Sequence, residues 1–137
     1  MQLTPIVAVH MTAALAATAI GPFALWARLG RQQHPKLHRA FGYAWVTLML
    51  VAALSAIFIS GDRIPHIAGF GPIHLLIPVT LGMLVGAFWF LARGNIAGHR
   101  KTMQGLYIGA CVIAGGFTLH PDRLLGNLIW GQWLGLA

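Results

Sequence analysis

The chain of 137 residues contains no glutamate, two aspartates and one cysteine, and only 8% of it is charged. A lone Cys111 excludes an intramolecular disulfide, and without a CxxCH run the usual covalent attachment of c-type haem is excluded too. Both acidic residues, Asp62 and Asp122, directly precede an arginine and read as structural. The apolar runs therefore carry no carboxylate, which argues against an ion-coupled transporter, since such machines usually bury one on the pathway. The glycines are spread through apolar sequence without the strand-to-helix context of a phosphate-cradling loop, so nucleotide binding is not indicated. The start, MQLTPIVAVH, lacks a basic leader, and the first apolar run is expected to be retained.

What is present in quantity is apolar sequence, 58% of the chain. Stretches free of Asp, Glu, Lys and Arg run over Leu3–Ala27, Ala40–Gly61, Ile64–Ala92 and Thr102–Pro121. Each reaches the roughly 20 residues that cross a bilayer as helix. The expectation is an all-α, integral-membrane, four-helix up-down bundle forming a single membrane domain over 1–137. The tail from Leu124 to Ala137 is too short for a comfortable crossing, and its Trp130 and Trp133 suit an interfacial helix.

Seven of the nine basic residues (Arg28, Arg31, Lys36, Arg39, Arg93, Arg100, Lys101) fall in or beside the first and third loops. The positive-inside rule then places those loops in the cytoplasm and both termini outside, in a bacterial cytoplasmic membrane. The net charge of +7 describes topology and contact with anionic headgroups of the lipid bilayer, with no call for nucleic acid.

The chain also repeats itself. His10 matches His74 at an offset of 64, Arg28 matches Arg93 at 65, His38 matches His99 at 61, and Arg63 matches Arg123 at 60. A duplicated helical hairpin follows, with halves of about 3–63 and 64–123 and the tail 124–137. In an up-down bundle, spans one and three face each other across the core, as do spans two and four. The topology thus pairs His10 with His74 near the outer face and His38 with His99 at the inner face, the layers roughly 15 to 20 Å apart at 1.5 Å per residue.

Two facing imidazoles in each layer are a ligand set for two haem b groups. The expected function is transmembrane electron transfer by a diheme b-type cytochrome, an oxidoreductase component. Small side chains on the His10 face, at Ala13, Ala14, Ala17 and Gly21, would leave room for a porphyrin, while ordinary packing between membrane helices is the plainer use of such a stripe. The pairs Gly82/Gly86 and Gly105/Gly109 would let helices approach, and Pro78 would free the His74 carbonyl and bend the third span. Arg39 and Arg100 beside the inner histidines, with Arg63 and Arg123 at the outer ends, are candidates for pairing the propionates; interface anchoring is the plainer use of all four.

Two other readings stay open. One is a non-enzymatic membrane subunit or assembly factor whose histidines are structural. The other is an outer-face zinc or copper site drawing on His10, His66, His74 and His120, for which only Asp62 and Asp122 could act as base. His34, His66 and His120 otherwise read as loop residues. A quinone or other small redox partner could be held near Tyr43, Trp45 and Tyr107, and Gly131 and Gly135 suit a helix contact with a second copy.

The HRxxGY segment His38–Tyr43, the second HR at His99 and Arg100, and the closing PDR at Pro121–Arg123 resemble a bacterial family of small multipass membrane proteins of unknown function. That resemblance covers His10 to Arg123 and implies a four-span bundle with recurrent histidines. In layout alone, the histidines are similar to those of diheme transmembrane cytochromes b, which take the two ligands of each haem from different helices. The inner histidines here lie almost at the membrane surface, so the outer pair carries more of the expectation.

Overall fold

The computed structural model describes residues 3–28, 33–59, 72–120 and 123–135, and within them all regular structure is helical. Helix α1 spans Pro5–Trp26. Its Thr4 hydroxyl accepts from the Val7 N–H at 3.4 Å, and Pro5 stands where an N–H would have no partner. Helix α2, Pro35–Ala56, also starts on proline, and α3 spans Pro72–Ala92.

The turn after α3 is tight. Gly94 adopts φ +72°, and its N–H bonds Leu91 O at 3.1 Å while that of Asn95 reaches Phe90 O at 2.8 Å. These two bonds make a Schellman stop, which needs the left-handed conformation that glycine adopts without steric cost. The Asn95 side chain then caps α4, Ile96–Leu106, by accepting from the Gly98 N–H at 2.9 Å.

Helix α4 passes directly into a π-helical stretch, Tyr107–Ile113, and then α5, Ala114–Phe117. Among the described residues, three helices are long and apolar enough to cross a membrane: Pro5–Trp26, Pro35–Ala56 and His74–Ala92. The fourth run differs from the expected Thr102–Pro121 span. It begins earlier, carries His99, Arg100, Lys101 and Gln104 on its first turns, and is divided into pieces of 11, 7 and 4 residues, none of which crosses alone. The tail forms α6, Leu124–Gly126, and a second π-helical stretch, Asn127–Trp133. It folds back on the end of α5: Gly126 N donates to Thr118 O at 3.1 Å and Trp130 Nε1 to Leu119 O at 2.9 Å.

Helix α1 packs along α2, α3 along α4, α2 touches α3, and the first π-helical stretch returns to α1. The core between them holds Ala17, Trp45, Met49, Leu84, Leu106 and Cys111. Much apolar surface remains outside it, including Leu15, Phe23, Leu54, Leu75, Val85, Trp89 and Val112. In water that exposure would be costly at roughly 25 cal/mol per Å²; in lipid it is the expected outer surface.

Two expectations about small residues change. Ala13 and Ala17 are covered by protein, with 4% and 0% of their surface exposed, so the stripe packs α1 closely instead of opening space beside His10. A Cβ added at Gly82, Gly86 or Gly109 would meet nothing within 4 Å, and one at Gly105 only the end of Met83. Of the glycines in the sequence-expected stripes it is Gly21 that permits close approach, where a Cβ would overlap the Tyr107 ring. Pro78 lies within α3, which continues through it, as α1 continues through Pro22.

Candidate functional site

His10, His38 and His99 make the same contact. His38 Nδ1 lies 2.8 Å from Ala24 O, His99 Nδ1 2.9 Å from Ala87 O, and His10 Nδ1 2.8 Å from Ala52 O. A carbonyl only accepts, so each Nδ1 carries a proton, and the tautomer that places a single proton there keeps its lone pair on Nε2. Every one of these carbonyls belongs to a neighbouring helix. For His38 the acceptor lies in the last turn of α1, where a carbonyl has no helical donor. A ring held this way has a set tautomer and orientation, the arrangement that usually supports a metal-ligating histidine.

The inner histidines also share a space. A cavity of about 620 Å³ is lined by His38 and Arg39 from α2, His99 and Arg100 from α4, and Arg28 just beyond α1. Its walls are largely apolar, with Leu25, Val46, Phe88, Leu91 and Met103 among them. That size and lining suit a cofactor. At the other end of the cavity stand Gly21, Trp45, Val46 and Tyr107, the lining residues of α1, α2 and the fourth run that lie farthest along each helix from the arginines. From Ile96 to Tyr107 the cavity follows the fourth run for about 16 Å.

Three guanidiniums at one mouth need anions. The chain's two carboxylate side chains, Asp62 and Asp122, lie outside the described residues, so no carboxylate side chain stands among those that are described. Arg28 Nη1 donates to Gln33 Oε1 at 3.0 Å, which steadies its guanidinium at the mouth. Arg28 was not among the sequence candidates for anion pairing, although its place in the first basic cluster was a usable signal.

The other described histidine and arginine candidates do not line this cavity. His10 is half-buried and also meets Ser55 Oγ at 3.2 Å. His74 is half-buried in the first turns of α3, and Arg123 lies at the start of α6, far along the chain from the cationic end. Arg63 and His66 lie outside the described residues. His34 stacks on Trp26, with ring centroids 5.3 Å apart, and His120 is exposed near the tail. Among the described residues no three His, Cys or Asp side chains gather on one metal position. The outer zinc or copper set is therefore not assembled by the residues described, while a haem, needing two protein ligands, is untouched by that count.

Sequence reasoning missed one contact altogether. Pro22 has no N–H for the Thr18 carbonyl four residues before it. The Tyr107 hydroxyl fills that vacancy, donating to Thr18 O at 2.9 Å. Tyr107 meets Trp45 with ring centroids 6.5 Å apart. Trp45 is 4% exposed, and its Nε1 has no hydrogen-bond partner among the described residues, a cost of about 1–3 kcal/mol if nothing relieves it. The rule applied to Pro78 would have flagged Pro22; which donor answers it could only come from the packing.

Apolar helices of spanning length, an outward apolar surface and polar groups gathered at a helix end define a helical membrane protein. The chain belongs to the family described as "Predicted membrane protein (DUF2306)", which matches residues 7–130. No curated protein and no solved structure matches it.

Proposed function

We propose that this protein is a diheme b-type cytochrome that carries electrons across the bacterial cytoplasmic membrane as a four-span bundle, with both termini outside. One observation carries the reading. His38 and His99, each held through Nδ1 by a carbonyl of another helix, line one apolar-walled cavity whose mouth bears Arg28, Arg39 and Arg100 and no described carboxylate.

These residues fit haem b on the chemistry of the donor set. Two imidazoles with Nε2 lone pairs would hold the haem iron, and arginines pair carboxylates such as propionates in two-point fashion. When bound, the haem would supply a one-electron redox centre whose potential the ligands and local polarity tune. The chain's own part is to fix the ligand tautomers, surround the ring with apolar side chains and neutralise the propionates. His10 and His74 are proposed for the outer haem, with His10 held by the same Nδ1-to-carbonyl contact.

The test is an optical spectrum of protein purified from membranes. A Soret band that shifts on reduction to the low-spin b-type pattern, with two haems per chain by pyridine haemochrome, is expected. A colourless protein, or zinc or copper without porphyrin in metal analysis, would overturn the reading.

A further inference from the structure

The cavity's end toward the membrane centre is built by an unusual chain of dependencies. Pro22 withholds the donor that Thr18 O would otherwise have within α1. Gly21, beside it, leaves a gap that the Tyr107 ring occupies, since any Cβ there would overlap the ring. The Tyr107 hydroxyl then bonds Thr18 O at 2.9 Å, and the ring lies against buried Trp45. Tyr107 is also the first residue of the π-helical stretch, where the fourth run departs from α-helical register. Such stretches disturb local helix geometry and recur at functional sites. Gly21, Trp45 and Tyr107 all line the cavity that holds His38 and His99.

We propose that Tyr107 is the positioning residue of this cavity: docked into the Gly21 gap and pinned to the carbonyl that Pro22 leaves free, it closes the central end and so sets how large a planar ring the two histidines can hold. This rests on the haem reading above. Tyr107 acts through shape and is not a ligand. Removing its hydroxyl leaves the ring the right size but untethered; adding a methyl at Gly21 evicts the ring from its gap. Restoring an N–H at position 22 gives Thr18 O a helical donor and weakens the tether without touching the cavity.

The experiment uses the full-length protein in detergent, comparing wild type with Tyr107→Phe, Gly21→Ala, Pro22→Ala and the Pro22→Ala/Tyr107→Phe pair. Transfer of inner haem to apomyoglobin should be about five-fold faster in Tyr107→Phe, the worth of one hydrogen bond of about 1 kcal/mol. The reduction potential assigned to the inner haem should shift while the outer one holds. Gly21→Ala should lose the inner haem, and a second change, Tyr107→Ala, should restore part of it. In thermal unfolding, Tyr107→Phe should cost less in the Pro22→Ala background than alone. Wild type without haem would sink the haem reading; wild type with two haems, alongside a Tyr107→Phe protein of unchanged haem retention, potential and stability, would overturn this proposal instead.

Discussion

The two hairpins use one device in two settings. In the first, His38 on α2 reaches back to Ala24 O near the end of α1; in the second, His99 on α4 reaches back to Ala87 O near the end of α3. The separations of 14 and 12 residues are nearly alike, as a duplicated hairpin would give. The hairpins differ in what surrounds the device. The second closes through a tight Schellman turn with a left-handed glycine, whereas α2 begins on a proline after a longer connection. α2 is one unbroken helix, while its counterpart gives way to a π-helical stretch at Tyr107. Matching histidine contacts with unmatched scaffolds teaches that the same ring orientation can be held by either hairpin, and that the asymmetry shapes the space between them.

The sharpest way to break this comparison is to remove one histidine at a time. Under the proposed function, His38→Ala and His99→Ala should each abolish the inner haem, halving haem content by pyridine haemochrome while leaving the outer signal. His10→Ala and His74→Ala should halve it from the other layer. Equal loss from both layers in any of the four would argue against the pairing. Next in size is the turn. Gly94→Ala should destabilise the protein by about 1 kcal/mol in chemical or thermal unfolding, because alanine is strained at positive φ. Gly86→Ala, mid-helix with open space around its Cβ position and away from the cavity, should instead be neutral or stabilise by up to about 1 kcal/mol. The smallest effects belong to the caps. Asn95→Ala and Thr4→Ala should each cost about 0.5–1 kcal/mol. The Thr4 change should be the milder, since its bond is 3.4 Å against 2.9 Å for Asn95; the reverse order would mean the second hairpin's turn is held by something other than its cap.

Length and apolarity made α1, α2 and α3 legible, because a bilayer demands an unbroken helix and leaves few alternatives. The fourth run was read in place but not in kind: no local pattern around Tyr107 announces a π-helical stretch, whose register depends on what its side chains pack against. The small stripe on α1 was read as room for a ring, yet Ala13 and Ala17 are covered and the open space lies at the other end. Composition says that a face is narrow and leaves open whether a neighbour fills it. From sequence the outer pair carries the greater weight; the cavity brings the inner pair together, since its walls come from all four helical runs.

By itself, the sequence determined that this is a helical membrane protein with one cationic end, recurrent histidines and no carboxylate within its apolar runs. Transfer free energy and charge distribution act on local stretches, so those properties can be read one segment at a time. Tertiary structure alone decided which nitrogen of each histidine is held, that Arg28 joins Arg39 and Arg100, and that Tyr107 answers Pro22. Each of these needs atoms from two helices within about 3 Å of each other or around one void, and no spacing along a single chain encodes such an approach.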